Sequence, residues 1–168
     1  MEAEALFIEF KDKIEARLAL FPGSNGAIVG IHTGGALLAR RLHEALREKP
    51  ALGFLDISFY RDDVAMHRWN PLVRPSSIPF DVEGAHIILV DDVLHTGRTV
   101  RAAMNEIFDY GRPAEITLAV LVDRGGRELP ICAQVAAAHI EVPADIHLDL
   151  KEDLHGKLVI EQKPWRRP

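Results

Sequence analysis

Apolar residues along the first part of the chain recur at two different periods. Phe7, Phe10, Ile14, Leu18 and Phe21 follow one another at three- and four-residue steps, which predicts an amphipathic helix over 3–20. Pro22, Gly23, Ser24 and Asn25 stop it. Residues 27–31 are an unbroken small-and-aliphatic run and read as a buried strand. A His32-Thr33-Gly34-Gly35 turn follows, and then a helix over 36–47 with Leu38, Leu42 and Leu46 on one face. Residues 55–59 alternate and predict a second strand. Residues 61–80 have no period and carry Pro71, Pro75 and Pro79. A loop of that length in a compact domain is more often functional than idle.

The second half repeats the alternation. His86 to Asp91 contains four consecutive aliphatics and is the strongest strand signal. Thr99 can cap a helix whose apolar face is Val100, Ala103, Met104, Ile107 and Phe108, closed by Gly111 and Pro113. Residues 115–122 are almost continuously apolar and 123–130 are polar. Shorter strand signals lie at 135–140, 146–150 and 157–160. Apolar strands alternating with helices imply an α/β fold with a mainly parallel twisted sheet covered on both faces. Ligands in such sheets bind beyond the carboxyl ends of the strands. The turns at 32–35, 61–80, 91–99 and 123–130 are therefore the places where chemistry is expected.

Composition narrows the class. A chain of 168 residues that is 48% hydrophobic and 27% charged suits one globular domain with a sizeable core. We place that domain at 1–162, with 163–168 as a flexible tail. No apolar run reaches the roughly 18 residues of a membrane span. The start of the chain lacks the basic and apolar regions of a signal peptide. With Cys132 as the single cysteine, a cytoplasmic setting is expected. The eight histidines show no short ligand spacing, so a zinc site is not expected. A net charge of −5 argues against a generally basic nucleic-acid binder.

The run from Ile87 to Thr99 carries the most chemistry. A buried strand delivers two adjacent carboxylates, Asp91 and Asp92, to its end. Val93, Leu94, His95, Thr96, Gly97, Arg98 and Thr99 lead from there into a helix. Backbone N–H groups, two hydroxyls and a positive helix end suit a phosphate monoester. The acids repel that phosphate and suit neutral hydroxyls instead. A phosphate at one end and a diol nearby describe a ribose 5-phosphate. Taken singly, the acid pair is also compatible with a solvated edge or a magnesium site, and the Thr-Gly-x-Thr with an ordinary helix cap.

In one unbroken run these residues resemble the phosphoribosyl-diphosphate (PRPP) motif of type I phosphoribosyltransferases. Residues 56–63, 87–101, 111–113 and 118–131 resemble one branch, the PyrR family of pyrimidine-operon regulators and uracil phosphoribosyltransferases. Together with weaker likeness over 29–42, the resemblance covers about 28–131. It implies that fold, with a small hood, and transfer from PRPP to uracil giving UMP and diphosphate. Magnesium would ride on PRPP, with Asp91 as the one protein group considered for it. By position, Asp91 and Asp92 would hold the ribose hydroxyls, and 93–99 would hold the 5-phosphate. Thr33, Gly34 and Gly35 would form the pyrophosphate loop. Arg61 would begin a lid with a catalytic cation, and Asp123 and Arg124 would begin a hood over the base. The resemblance also implies a homodimer or higher homo-oligomer and binding of an mRNA leader.

Four departures from that pattern matter. The family's pyrophosphate loop usually carries arginine where this chain has Gly34. That removes a charge-assisted contact worth roughly 1.5–3 kcal/mol, so weaker catalysis or compensation by His32 or Arg61 is expected. His95 replaces a common tyrosine and is expected to face solvent or a partner. Gly126 stands where histidine is frequent. The N-terminal helix, usually basic in the family, has five acids against three bases over 2–17. That leaves Arg40, Arg41, Arg47, Arg101 and Arg112 as the candidate RNA patch. Two alternatives stay open: a non-catalytic, uridine-nucleotide-sensing RNA-binding attenuator on the same fold, or a purine phosphoribosyltransferase differing in the hood. A phosphoacceptor receiver domain also carries adjacent acids but has no use for the Thr-Gly-Arg-Thr loop.

Overall fold

A computed structural model describes residues 2–21, 25–57 and 76–164. Helix α1 (Ala3–Leu18) is followed by β1 (Gly26–Ile31), α2 (Gly34–Ala45) and β2 (Ala51–Leu55). Then come β3 (His86–Leu94), α3 (Arg98–Tyr110), β4 (Glu115–Asp123) and β5 (Val135–His139), and last β6 (Ile146–Glu152) and β7 (Leu158–Pro164). The first five strands form one parallel sheet in the order β2-β1-β3-β4-β5, and β6 and β7 pair antiparallel beside it. The α/β architecture with a central parallel sheet is as the sequence implied.

Strand alternation explains how the sheet is covered on both faces. Ile88 and Val90 of β3 join Ile28, Phe10, Ile14, Leu38 and Leu42 in a core under α1 and α2. Ile87 and Leu89 join Val29, Ile31, Val100, Ala103 and Ile107 under α3. The first core continues into the hairpin through Leu148, Leu150 and Leu158. Glu4 ties that side together, accepting from Arg41 of α2 at 2.8 Å and from the Leu158 N–H at 2.6 Å.

Three expectations shift. The strand expected over 55–59 lies at Ala51–Leu55, because the parallel register with β1 runs from Ala27↔Ala51 to Ile31↔Leu55. Ile57 is buried beyond its end, and residues 58 and 59 lie outside the described residues. Helix α2 begins at Gly34, so the two loop glycines form its first turn. Lys163 and Pro164, expected in a tail, pair with His147 and Ile146 in the hairpin.

The five candidate RNA-contacting arginines do not share a surface. Arg40, Arg41 and Arg47 belong to α2 and its end, whereas Arg101 and Arg112 belong to α3 and its end, on the opposite face of the sheet. Arg40 lies over the Phe54 ring at 4.5 Å, and Arg41 is paired with Glu4. The expected single patch is thereby divided.

Candidate functional site

The carboxyl ends of β1 and β3 meet at the start of α2. Gly35 packs so closely that a Cβ there would lie 2.3 Å from the Val90 carbonyl oxygen. At Gly34 a Cβ would lie 2.3 Å from Asp92 Oδ2. These small residues let the helix end settle onto the strand that carries the acids. The Asp92 carboxylate consequently lies against the positive end of α2, where the helix dipole favours it. Asp91 is 6% exposed, and its Oδ1 accepts the Asp92 N–H at 3.0 Å. The sequence-predicted pyrophosphate loop, Thr33, Gly34 and Gly35, and the acid pair are therefore brought together. The His32–Thr33 peptide bond is cis, and the His32 ring is 5.7 Å from Phe54.

After the acids the backbone turns toward α3. Val93 packs against the core under α1 and α2, and Leu94 is buried in the core under α3. Their side chains are packing groups, so of these two only the backbone is open to a phosphate. Gly97 adopts the left-handed conformation (φ 91°) immediately before α3, and no side chain caps the helix. The first-turn N–H groups thus reach the helix end without an intrahelical acceptor. The Arg98 N–H donates to Thr96 Oγ1 at 3.3 Å, and its guanidinium to Glu128 at 2.9 Å. Thr99 lies inside the helix rather than at its cap; Gly97 takes that place because the turn needs a positive φ.

The segment after β4 is braced against this loop. The Arg124 N–H donates to the Leu94 carbonyl at 3.1 Å, and the Glu128 and Leu129 N–H groups reach the Thr96 carbonyl at 3.0 and 3.2 Å. Arg124, expected over the base, instead sends its guanidinium to the carbonyls of Ile146, Val142 and Pro143 at 2.5, 3.3 and 2.9 Å. It is a strut between the hood and the hairpin, 6% exposed, and burial lowers its pKa from the ordinary value. Arg127, which the sequence reading missed, is the hub. It donates to Asp123 at 2.5 Å, to the His95 carbonyl at 2.7 Å and to the Ile131 carbonyl at 2.9 Å. The available signal was an arginine four residues after Asp123. Burial opposes ionisation of Asp123, but the hydrogen bonds from Arg127 and the Gly125 N–H outweigh it and hold its carboxyl below the usual range.

His95, expected to face solvent or a partner, is part-buried, with its ring against Gly126 of the hood. Cys132 is exposed. Arg61 and the lid lie outside the described residues. Among the described residues no three His, Cys, Asp or Glu side chains cluster as a metal cage, and no helix is long and apolar enough to cross a membrane.

Comparison with known proteins gives a consistent picture. The phosphoribosyl transferase domain family matches residues 2–149. A Nitrosococcus oceani protein named Bifunctional protein PyrR is 51% identical over 144 residues, covering 84% of this chain and 81% of that protein. One of the same name from Pseudomonas fluorescens is 46% identical over 158 residues, covering 88% and 94%. The fold is similar to hypoxanthine phosphoribosyltransferase from Trypanosoma cruzi in complex with the product IMP. There the TM-score is 0.65 at 20% identity, with 87% of this chain and 77% of that one covered. A hypoxanthine-guanine phosphoribosyltransferase from Bacillus anthracis gives 0.65 at 18%, over 83% and 82%.

Proposed function

Since the chain belongs to the PyrR branch of the phosphoribosyltransferase family, we propose that it transfers ribose 5-phosphate from PRPP to uracil, yielding UMP and diphosphate, in the service of pyrimidine regulation. One observation carries the reading: the acid pair at the end of β3 stands between two helix starts, α2 against Asp92 and α3 beyond Gly97. A phosphate at the α3 start and a diphosphate at the α2 start would place the ribose across Asp91 and Asp92.

Each group then has a physical task. As the bond from ribose C1 to diphosphate loosens, positive charge builds on the sugar, as in glycosyl transfer. Asp91 and Asp92 accept the ribose hydroxyls and stabilise that charge. The first turn of α3 and the Thr96 hydroxyl hold the 5-phosphate and fix the ribose in line with the base. Two adjacent carboxylates, with no metal cage of three such side chains among the described residues, fit magnesium, which takes one or two carboxylates and completes its shell with substrate phosphates and water. Bound there, it would neutralise charge on the departing diphosphate. Arg61 and the residues after it are proposed to cover the reacting centre. A homo-oligomeric state and a cytoplasmic location complete this reading.

Gly34 favours a second reading, a uridine-nucleotide sensor that binds an mRNA leader without turnover, because a loop of Thr33, Gly34 and Gly35 offers the diphosphate no side-chain cation. UMP formation from uracil and PRPP with magnesium, beside hypoxanthine, guanine and orotate, separates the readings. The expected result is uracil-specific turnover that falls roughly 10²–10³-fold in Asp92→Asn, with the thermal melting point retained. UMP binding without turnover would favour the sensor, and turnover of a purine instead would move the substrate to that class.

A further inference from the structure

The chain on either side of His95 is pinned to the hood. The Leu94 carbonyl accepts from Arg124, the His95 carbonyl from Arg127, and the Thr96 carbonyl from Glu128 and Leu129. The imidazole itself is directed to the same place. A Cβ on Gly126 would lie 2.8 Å from both His95 Cδ2 and Nε2, and Gly126 has a φ of 72° that side chains rarely adopt. Glycine therefore leaves a slot in the hood, and the His95 ring fills it. Among the described residues neither ring nitrogen has a hydrogen-bond partner. The ring stands one residue before the proposed phosphate cradle and touches the proposed base hood, a position between the two ends of a nucleotide.

Resting on the transferase reading above, we propose that His95 faces the pyrimidine and takes the proton that the base loses on transfer. The step balances. The ring nitrogen N1 bonds to ribose C1 and the bond from C1 to diphosphate breaks, its electron pair leaving with the diphosphate. The N1 proton moves to the imidazole, which returns it to solvent after UMP departs. A neutral imidazole is required, and the surroundings provide one. Burial lowers the His95 pKa from its ordinary value of 6.5, and the Arg124 and Arg127 guanidiniums and His147 of β6 act in the same direction against Glu128. The other hood-side histidine, His139, is 75% exposed with its Nδ1 3.7 Å from the Asp123 carboxylate, so it has a different partner.

The test is the pH dependence of UMP formation by the full chain, wild type beside His95→Gln and His95→Asn, with uracil and with 5-fluorouracil, whose ring proton is more acidic. The wild type is expected to lose kcat/KM as pH falls through the lowered histidine pKa. Both variants should lack that limb and lose about 10²-fold in kcat with uracil. The loss should be smaller with 5-fluorouracil, because a more acidic base needs less help. Wild-type kcat in either folded variant would overturn the proposal. So would equal losses on both bases with the acid limb unchanged, the pattern of a merely structural role. A wild type that binds UMP but forms none would overturn the transferase reading and this inference with it. A fully active His95→Gln would overturn the inference alone.

Discussion

The two loops that face the ends of the proposed substrate are built in opposite ways. The pyrophosphate loop is held by closeness: Gly34 and Gly35 lie so near β3 that a Cβ would meet Asp92 or the Val90 carbonyl. The phosphate loop is held by cross-bracing, with Arg98, Arg124 and Arg127 joining it to the hood and the hood to the hairpin. Close packing of small residues leaves backbone donors and a helix end but no side-chain charge. Cross-bracing commits three guanidiniums to protein acceptors, so none of those cations stands idle for the ligand. At both loops the proposed anion would accordingly be left to backbone N–H groups, helix ends and, on the phosphate side, the Thr96 hydroxyl. Rigidity, rather than surplus positive charge, is what the described part of this site supplies.

The braces differ in depth, and that difference gives the largest expected effect. Arg124→Ala would take the guanidinium from three carbonyls, of which that of Pro143 keeps the Ile146 N–H, and is expected to lower unfolding free energy by about 3 kcal/mol, read by chemical denaturation. Arg98→Ala removes a pair whose side chains are 49% and 31% exposed, and should cost less than about 1 kcal/mol. Similar costs for both would mean that the hood is not held by its buried strut.

The pyrophosphate side can be tested by adding what it lacks. Gly34→Arg introduces a cation beside the proposed diphosphate position; it displaces the rotatable Asp92 carboxylate and also presses on the Asp92 Cβ, 2.9 Å from the new Cβ, so the backbone there must give as well. Asp92 is expected to turn away and diphosphate binding, measured by titration calorimetry with magnesium, to tighten at least about tenfold, the lower part of a charge-assisted contact's range. Unchanged or weaker binding would show that the packing of Gly34 against Asp92 matters more than the missing charge.

How much of this was legible in the sequence follows the same division. The acid pair, the loop glycines and the strand before them were legible because they are contiguous and their chemistry is local. The sheet was legible because its strands are apolar on both faces. Position 51–55 was harder, since an edge strand is defined by its register with β1 rather than by its own alternation. The bracing was least legible. Arg124 read as a base contact and Arg127 had no reading, and only folding brings the carbonyls of Val142, Pro143 and Ile146 beneath one and that of His95 beneath the other. His95 and Gly126, departures recorded 31 residues apart in the sequence, turn out to be one contact.

The smallest expected effect concerns the carboxylate inside the braced half. Asp123 receives Arg127 and the Gly125 N–H, with His139 nearby, and its pKa is depressed from the ordinary 3.8. A group with a depressed folded pKa contributes stability above its unfolded value and loses it as pH falls through the folded one. Asp123→Asn should therefore destabilise the protein by about 1 kcal/mol at pH 7. The difference from wild type should shrink below pH 4 as the wild-type carboxylate takes up its proton. A deficit of the same size at pH 3 and pH 7 would mean that the side chain acts through packing, and that the bracing of the phosphate side owes little to this charge.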